Sequence, residues 1–319
     1  MPATASPSSL ARVRDLEIAR RLPADNCSLA DARRYTGWLA RHHYENFRVA
    51  SWLLPRRFHQ AFYDVYSYCR WADDLGDEVA DPRATLELLD WWEAELDRAF
   101  ARQPRHPVFV ALAETIADFG LPAEPFRDLL RAFRQDQTVR RYADWESLLD
   151  YCRYSANPVG RLVLALGGYR NPERTELSDS TCTALQLVNF WQDVARDYGK
   201  GRIYIPQELL SAYGLGEQDI AAGRFDARYR QLMQDLIART RRLFEQGLPL
   251  ADLVSAEWRI DIELFSRGGL AVIGAIEAAG YDTLTRRPVV RRSTQMRLLG
   301  RALAGRWLGG GAGRSERAA

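Results

Sequence analysis

The sequence lacks the features that mark several common protein classes. No apolar run reaches the ~18 residues needed to span a bilayer. There is no phosphate-binding G-x-x-x-x-G-K-[ST] loop and no G-x-G-x-x-G turn after a strand, so neither ATP nor a nicotinamide cofactor is indicated. The 4 cysteines show no C-x-x-C spacing, and none of the 4 histidines stands at a metal-ligand spacing, which argues against a zinc site.

An excess of one charge is also missing. The 44 basic residues nearly balance the 42 acidic ones, and a net charge of +2 argues against a dedicated nucleic-acid binder. Lysine is almost absent, because Lys200 is the single lysine and the other basic residues counted here are arginines. Arginine suits bidentate contacts with phosphate, although a genome-wide codon bias produces the same composition.

Helical periodicity runs through nearly the whole chain. Apolar residues recur at three- and four-residue steps, while alternating strand patterns and hairpin turns are missing. We therefore predict an all-α protein with a single domain over 13–308, between disordered tails at 1–12 and 309–319. The predicted helices cover 53–78, 85–102, 109–119, 124–134, 145–155, 159–166, 175–197, 207–212, 227–246, 256–279 and 289–308.

Two of these predicted helices carry carboxylates one helical turn apart. Asp73 and Asp77 share a face of the first, and Asn189, Asp193 and Asp197 share a face of the second. Like charges at this spacing repel each other, so an arrangement that occurs twice calls for a neutralising partner. Mg²⁺ fits this role, because it takes oxygen ligands from one or two carboxylates together with substrate phosphates.

Either motif alone would also be typical of a solvated helix surface, and the flanking residues favour a site instead. Trp71 lies beside the first motif and Phe190 beside the second, and carboxylates among apolar residues are costly unless paired or metal-bound. Arg70 stands one turn from Asp73 and Asp74, where it could orient them or hold a diphosphate. Metal sites in helical bundles form where such helices face each other across the core.

Further candidate site residues lie after the second motif, and one lies before the first motif. Lys200 and Arg202 lie in a glycine-containing stretch from which they could reach a phosphate, or in which they form a solvated turn. Tyr204 follows directly. The chain holds 12 Phe, 14 Tyr and 9 Trp, most of them core residues, and some could line a cavity for a long apolar ligand or a carbocation. Among the histidines, His43 is the one candidate for a role.

The motifs together resemble the squalene and phytoene synthase family, the head-to-head branch of the isoprenoid synthases. The resemblance spans roughly residues 40–295. It rests on D-D-L-G-D at 73–77, on Q-L-V-N-F-W-Q-D at 186–193 running on to Asp197, on G-R-I-Y-I-P at 201–206, and on N-P-V-G at 157–160. It implies an all-helical isoprenoid synthase bundle around a central apolar cavity.

The resemblance also implies that both motifs bind Mg²⁺ and the diphosphate of a prenyl substrate, without NADPH and without nucleic acid. The implied metal ligands are Asp73, Asp74, Asp77, Asn189, Asp193 and Asp197. The implied catalytic residues are Asp73, Asp77, Asp193, Asp197 and Tyr66. The implied substrate-binding residues are His43, Glu45, Asn46, Phe47, Arg70, Tyr151, Asn157, Gln186, Gln192, Arg202 and Tyr204.

Within the family, H-Y-E-N-F at 43–47 and N-F-W-Q-D at 189–193 are most similar to one bacterial hopanoid-pathway branch. That branch converts presqualene diphosphate and water to hydroxysqualene and diphosphate. Other members tend to carry a serine-rich segment at 43–47 and often arginine at the position of Gln192. Arg48 departs from the proline usual in the branch, and Asp261 stands where some carotenoid-forming relatives have a tyrosine.

The resemblance then implies a mechanism. Mg²⁺ assists ionisation of the diphosphate, the resulting carbocation rearranges in the apolar cavity, and water captures it. Asn46, Glu45 and Tyr66 are alternatives for orienting that water.

Two other functions stay open. A sister activity would join two farnesyl diphosphates into presqualene diphosphate, squalene or a carotenoid precursor, and a squalene producer would need NADPH. A non-catalytic isoprenoid-fold protein, acting in binding or assembly, should have eroded aspartates, whereas both motifs here are whole.

The ends of the chain bear on localisation. Residues 1–10 are small and polar and lack the apolar core of a signal peptide, so we expect a cytoplasmic protein. Near the other end, arginines alternate with apolar residues, which is typical of a peripheral helix on the inner membrane or of a packed terminal helix with a solvated face. These residues are Arg291, Arg292, Arg297, Leu298, Leu299, Arg301, Leu303, Arg306 and Trp307.

Overall fold

The fold is helical throughout the part of the chain that the computed structural model describes, which is residues 27–42, 54–77, 79, 81–291, 294, 297 and 300. An isolated parallel bridge between Arg141 and Ile203 is the one strand-like pairing found there. The predicted all-α class is confirmed. None of the helices in these ranges is both long and apolar enough to cross a membrane.

Thirteen α-helices and one 3₁₀ helix lie in the described ranges. They are α1 Leu29–His42, α2 Arg56–Asp77, α3 Pro82–Phe100, α4 Pro107–Phe119, α5 Glu124–Gln135, α6 Trp145–Ser155, α7 Asn157–Leu166, α8 Pro172–Gln192, α9 Val194–Gly199, α10 Gln207–Ala212, α11 Glu217–Ala221, α12 Ala227–Gly247, the 3₁₀ helix Leu248–Asp252, and α13 Ala256–Ala278.

Local signals explain most of these boundaries. Asp81 caps α3 by accepting from Arg83 N, and Asp144 and Ser147 form a reciprocal capping box at the start of α6. Gly120 ends α4 in the left-handed conformation, with φ 59°. Predicted and observed boundaries therefore agree within a few residues in these regions.

Three differences from the predicted helices stand out. Helix α1 was not predicted, although Ser28 Oγ accepts from Asp31 N at 3.1 Å and this cap is readable as S-x-x-D. Helix α11 was also missed. The terminal helix predicted over 289–308 does not include 289–291, which are not helical, and most of the rest lies outside the described residues, as do 43–47.

The chain divides into two compact units, and the boundary passes through α7. The first unit comprises residues 1–138 and 162–168, and among its described helices α2 packs against α1, α3, α4 and α5. Its core is aromatic, since the Tyr68 ring meets the rings of Trp92, Phe109 and Phe126 with centroids 5.9, 5.8 and 4.9 Å away. Helix α2, which carries the first aspartate motif, is therefore the central helix of this unit.

A buried carboxylate ties three helices of the first unit together. Asp64 on α2 accepts hydrogen bonds from Thr36 on α1 at 2.6 Å and from Thr115 on α4 at 2.7 Å. Gln60 donates to the same carboxylate at 2.8 Å. Burial raises the pKa of Asp64, while these three donors act to lower it.

The second unit comprises residues 139–161 and 169–319, and α8 is its central helix. Helix α8 packs against α12, α13 and α6. Glycines permit the close approaches, because a Cβ at Gly269 on α13 would lie 2.1 Å from the ring of Phe244 on α12. A Cβ at Gly160 would lie 2.5 Å from Cys182 Sγ on α8. The second aspartate motif thus lies at the end of the best-packed helix of its unit.

Candidate active site

The first aspartate motif occupies the last turns of α2. Gly76 lets this end pack against α5, because a Cβ there would lie 3.0 Å from the Phe133 ring. Gln137 Nε2 donates to the carbonyl oxygen of Gly76 at 3.1 Å, which satisfies one of the acceptors at the helix end. The position of Asp73 and Asp77 is therefore set by contacts from α5 and the residues just beyond it.

Arg70 organises the carboxylates of the first motif. Its Nε donates to Asp74 at 3.2 Å and its Nη1 to Asp73 at 3.3 Å, and its Nη2 also bonds Asp74. Asp74 is buried, Asp73 half-buried and Asp77 exposed. Burial acts to lower the pKa of Arg70, but Asp74 and Asp73 outweigh it and raise that pKa above its usual value. Asp73 and Asp77 are thus the accessible carboxylates of the motif.

Aromatic side chains surround the buried side of the first motif. The Trp71 indole donates to the Tyr35 hydroxyl at 3.0 Å and stacks on Trp92 with ring centroids 5.4 Å apart. Tyr66, one turn before Arg70, is buried as well. The predicted setting of carboxylates among aromatic residues is present in the first unit.

The second motif does not lie on one continuous helix, and the predicted helix over 175–197 is wrong on this point. Helix α8 ends at Gln192, Asp193 has φ −108° and ψ 16°, and α9 begins at Val194. Aspartate is a weak helix former, and here its side chain is held from outside the helix by Arg287. The i to i−4 bonds from Asp193 N to Asn189 O (3.0 Å) and from Asp197 N to Asp193 O (2.9 Å) persist, so the one-turn spacing survives the break.

The polar residues of the second motif differ in exposure. Asn189 is exposed, while Gln186, Asp193 and Asp197 are half-buried. Burial, followed by repulsion from Asp193, raises the pKa of Asp197 to about 6. A cation bound beside Asp197 would relieve the repulsion that this carboxylate experiences from Asp193.

The first motif lies at the carboxyl end of α2, and Asn189 and Asp193 lie at the carboxyl end of α8, where the helix dipole is negative. Asp197 lies in the first turn of the short helix α9. The last turn of α2 contains no basic residue, and neither does that of α8. Carboxylates at these positions are electrostatically unfavourable, so a bound cation would be stabilised by the helix ends and by the aspartates together.

The donor set fits Mg²⁺. The candidate ligands are carboxylate and amide oxygens, which are the ligands of hard cations. Among the described residues, no three His, Cys, Asp or Glu side chains are grouped as a metal site. A few protein oxygens completed by water and substrate phosphate are the usual coordination of Mg²⁺.

Two arginines bind Asp193. Arg287 Nε donates to Oδ1 at 2.6 Å and Nη2 to Oδ2 at 3.0 Å, a bidentate pair between residues 94 apart in the chain. Arg196 Nη1 lies 3.3 Å from the same Oδ1. Sequence reasoning missed Arg287, because no local pattern connects it with the motif.

Gln192 is buried and forms hydrogen bonds with the segment that carries Arg287. Its Nε2 donates to the Pro288 carbonyl oxygen at 2.6 Å, and its Oε1 accepts from Arg287 Nη2 at 3.1 Å. Gln192 was predicted to bind substrate. The contacts seen in the structure give it a part in holding Arg287.

The stretch behind the second motif is fixed by backbone pairing. Gly201 adopts φ 78°, and Arg202 N bonds the Asp197 carbonyl oxygen at 2.8 Å. Ile203 N then bonds the Arg140 carbonyl oxygen at 3.0 Å. Arg202 is therefore positioned directly beside the motif, and its contact with a phosphate stays a prediction.

Four aromatic rings cluster behind the second motif. Tyr204 lies face to face with Phe190, with centroids 3.7 Å apart and planes 6° apart. Tyr151 lies 6.0 Å and Tyr142 5.9 Å from Tyr204. Tyr142 was missed, because a single tyrosine ahead of the α6 capping box gives no periodic signal. The predicted residues Tyr151 and Tyr204 are brought together.

The remaining predicted residues divide into two cases. Asn157 is buried, and its Oδ1 accepts from Thr183 Oγ1 at 2.9 Å, which links α7 to α8. His43, Glu45, Asn46 and Phe47 lie outside the described residues. Each aspartate motif is assembled within its own unit, and their facing one another stays a prediction.

Comparison with known proteins covers both motifs. The squalene/phytoene synthase family model matches residues 40–294. The chain belongs to this family. The match includes α2 with the first motif and runs through α8, α9 and the aromatic cluster to the segment that carries Arg287.

Individual family members agree with this assignment. A hydroxysqualene synthase of Rhodopseudomonas palustris is 37% identical over 225 residues, which are 70% of this chain and 75% of the relative. A 15-cis-phytoene synthase of Synechococcus elongatus is 31% identical over 277 residues, 82% of this chain and 89% of the relative. The crystal structure of squalene synthase HpnC from Alicyclobacillus acidocaldarius has a TM-score of 0.77 and is 44% identical, covering 81% of this chain and 98% of that chain.

Proposed function

We propose that the protein is a hydroxysqualene synthase, which converts presqualene diphosphate and water to hydroxysqualene and diphosphate. The chemistry is supported above all by the placement of carboxylates at the negative ends of α2 and α8, where a divalent cation would be stabilised and would in turn attract a diphosphate. The branch is supported by the identity to the hydroxysqualene synthase of R. palustris and to HpnC of A. acidocaldarius.

The proposed metal ligands are the accessible oxygens of the two motifs. They are Asp73, Asp77, Asn189, Asp193 and Asp197, with Asp74 nearby but buried against Arg70. When bound, Mg²⁺ supplies positive charge that stabilises the diphosphate as it leaves. Arg70 and Arg202 are the proposed donors to the diphosphate oxygens, since each is positioned beside one motif.

The proposed reaction breaks the C–O bond of the substrate, and diphosphate departs with the bonding electrons. The cyclopropylcarbinyl cation rearranges, a water oxygen forms the new C–O bond, and the water loses a proton. The stacked Phe190 and Tyr204 are candidates for stabilising the cation through their ring faces. A central apolar cavity that excludes other water completes the proposal.

Tyr66 remains a proposed partner of the capturing water, together with Glu45 and Asn46. Tyr66 is buried on α2, one helical turn before Arg70. We propose that no NADPH is consumed, because water rather than hydride ends the reaction.

A sister activity is the second candidate. The similarity to 15-cis-phytoene synthase of S. elongatus extends over more of the chain than that to the R. palustris enzyme. Formation of presqualene diphosphate, squalene or phytoene from two prenyl diphosphates would use the same motifs.

Product analysis separates the two candidates. The protein is incubated with presqualene diphosphate and Mg²⁺ in ¹⁸O-labelled water without nicotinamide, and with farnesyl diphosphate in a parallel reaction. We expect a C30 alcohol carrying ¹⁸O from presqualene diphosphate. Squalene formed only with NADPH, or turnover of farnesyl diphosphate alone, would assign the protein to a sister branch.

A further inference from the structure

The segment 282–291, here called the C-terminal strap, runs from the end of α13 to the second aspartate motif. Gly280 and Tyr281 both adopt φ 67°, which turns the chain away from α13. Asp282 then accepts from Leu284 N at 3.2 Å and from Thr285 N at 3.0 Å. The start of the strap is therefore held independently of the motif.

The far part of the strap is held by the motif itself. Arg287 binds both oxygens of Asp193 at 2.6 and 3.0 Å, and Gln192 bonds both Arg287 and the Pro288 carbonyl oxygen. The Arg287 guanidinium therefore donates two hydrogen bonds to Asp193 and one to Gln192, which fix it against the Asp193 carboxylate. This is a built contact rather than a chance surface pair.

We propose that Arg287 is an internal counter-ion that competes with the divalent cation for Asp193 and is displaced when the metal binds. This rests on the proposed function, in which Asp193 is a metal ligand. Both Asp193 oxygens accept N–H bonds from Arg287, and Oδ1 also accepts one from Arg196. A cation at Asp193 would therefore compete with Arg287 for the charge and lone pairs of this carboxylate. Metal binding is then an exchange of one positive partner for another.

The energetics permit such an exchange. The Arg287 side chain is 41% exposed and that of Asp193 19%, so water can solvate the guanidinium as it leaves. A partly exposed ion pair is weak, although bidentate geometry strengthens it. A pocket of about 140 Å³ beside the pair, lined by Thr283, Thr285 and Arg286 among others, gives the Arg287 side chain room to move.

Direct metal titration tests the proposal. Mn²⁺ binding is measured by electron paramagnetic resonance, and Mg²⁺ binding by calorimetry, on the full chain without substrate. We expect Arg287→Gln to bind both metals roughly two- to tenfold more tightly than the parent. Arg287→Lys keeps the charge but loses the bidentate contact, so its metal affinity should lie between those of the parent and Arg287→Gln.

Arg286→Gln is the matched control. Arg286 is the neighbouring residue and lines the same pocket, but its Nη2 donates to the Ala279 carbonyl oxygen instead of to Asp193. Arg286→Gln also removes one positive charge but leaves the Arg287–Asp193 ion pair in place. We therefore expect this variant to bind metal with near-parental affinity. Equal tightening in both variants would show a general charge effect and overturn the proposal, as would unchanged or weaker binding in Arg287→Gln.

Arginine accessibility supplies a second readout. Phenylglyoxal labelling followed by mass spectrometry should show faster modification of Arg287 when Mg²⁺ is added, with Arg286 unchanged as an internal reference. Unchanged labelling of Arg287 at saturating Mg²⁺ would overturn the displacement. In Asp193→Asn, unaltered metal affinity would instead show that Asp193 is not a ligand, and both the proposed metal role and this inference would fail.

Discussion

At the scale of single residues, Asp77 and Asp193 each stand next to the carboxyl end of a helix, in two different units. Asp77 is the last residue of α2, and Asp193 directly follows α8. Each is therefore next to a helix carboxyl end, where negative charge is unfavourable. Removing the Asp77 charge should not weaken the fold, whereas removing the Asp193 charge also breaks its ion pair with Arg287. Either change removes a proposed metal ligand.

Asp77→Asn and Asp193→Asn should each abolish turnover while helical content stays parental. The thermal midpoint should stay at or above the parental value in Asp77→Asn and fall modestly in Asp193→Asn, which loses the ion pair with Arg287. Each variant loses one charged oxygen ligand and one repulsive charge. The control is Asp118→Asn, which alters an exposed aspartate in the last turn of α4, outside both motifs, and should keep full activity. Product assays with and without EDTA and circular dichroism make the measurement, and full activity in either motif variant would rule out the two-motif metal site.

Asp197 adds a pH dependence to the metal-free protein. Its pKa is about 6 in the folded chain, and an unfolded aspartate titrates near 3.9. Between these values the folded state binds more protons, so this group contributes stability at low pH that is lost as pH rises through about 6.

Asp197→Asn should therefore stabilise the metal-free protein at pH 8, by on the order of 1 kcal/mol after allowance for partial exposure. The gain should be absent near pH 4. Urea unfolding in EDTA at both values measures the difference. Equal stability differences at the two pH values would contradict the assigned pKa.

At the scale of elements, neighbouring glycines on α13 occupy opposite environments. A Cβ on Gly269 would lie 2.1 Å from the Phe244 ring and 2.9 Å from Leu185 Cδ2. A Cβ on Gly268 would meet nothing within 4 Å. The close approach of α13 to α8 and α12 therefore requires a glycine at position 269 but not at position 268.

Gly269→Ala should destabilise the protein by about 1–3 kcal/mol, because the fully buried Phe244 must shift. Gly268→Ala should be neutral or stabilise by about 0.5–1 kcal/mol, since alanine favours a helix interior over glycine. Chemical denaturation of the pair gives both values. Similar effects in the two variants would mean that α13 does not pack as described.

His106 joins helix capping to the aromatic core of the first unit. Its Nδ1 accepts from Val108 N at 3.3 Å at the start of α4, and its ring meets Trp71 and Trp92 edge-to-face with centroids 4.9 and 5.1 Å away. Among the described residues its Nε2 has no hydrogen-bond partner. Burial lowers the pKa of His106 to about 3, so the folded protein keeps this ring neutral.

Acid should therefore destabilise the protein through His106. Below about pH 6.5 the unfolded chain takes up a proton that the folded chain refuses until about pH 3, so stability falls by up to about 1.4 kcal/mol per pH unit in that window. His106→Asn retains a capping oxygen but does not titrate, and it should lack this slope. Urea midpoints at pH 7 and pH 5 make the comparison, and parallel slopes would refute it.

At the scale of the whole molecule, the chain's end bears on membrane contact. Val289 on the strap is 61% exposed and lies close in sequence to Arg287 and Arg291. This mixture of apolar and cationic side chains is typical of contact with anionic lipid.

We expect the full chain to co-sediment with vesicles containing anionic lipid, and a chain ending at Ser293 to lose most of this binding. The lost segment contains Arg297, Arg301, Arg306 and Trp307. Neutral vesicles are the control, since they remove the electrostatic attraction. Equal binding by the two chains would remove the membrane role of this segment.

Local signals alone predicted much of this protein. The apolar period located helices such as Trp145–Ser155 where they occur, because this signal acts over only a few residues. The one-turn spacing of Asp73 with Asp77, and the order of the second motif, were equally readable, since they depend on helix geometry and not on the fold.

Tertiary structure decided what the motif residues contact. The helix ends before Asp193, where Arg287 binds from 94 residues further along the chain, and Gln192 fastens the strap. The grouping of Tyr142 with Tyr204 likewise depends on backbone pairing between distant segments, such as that of Ile203 with Arg140. Ion pairs and ring contacts of this kind form only after the helices pack, because their partners share no local sequence pattern.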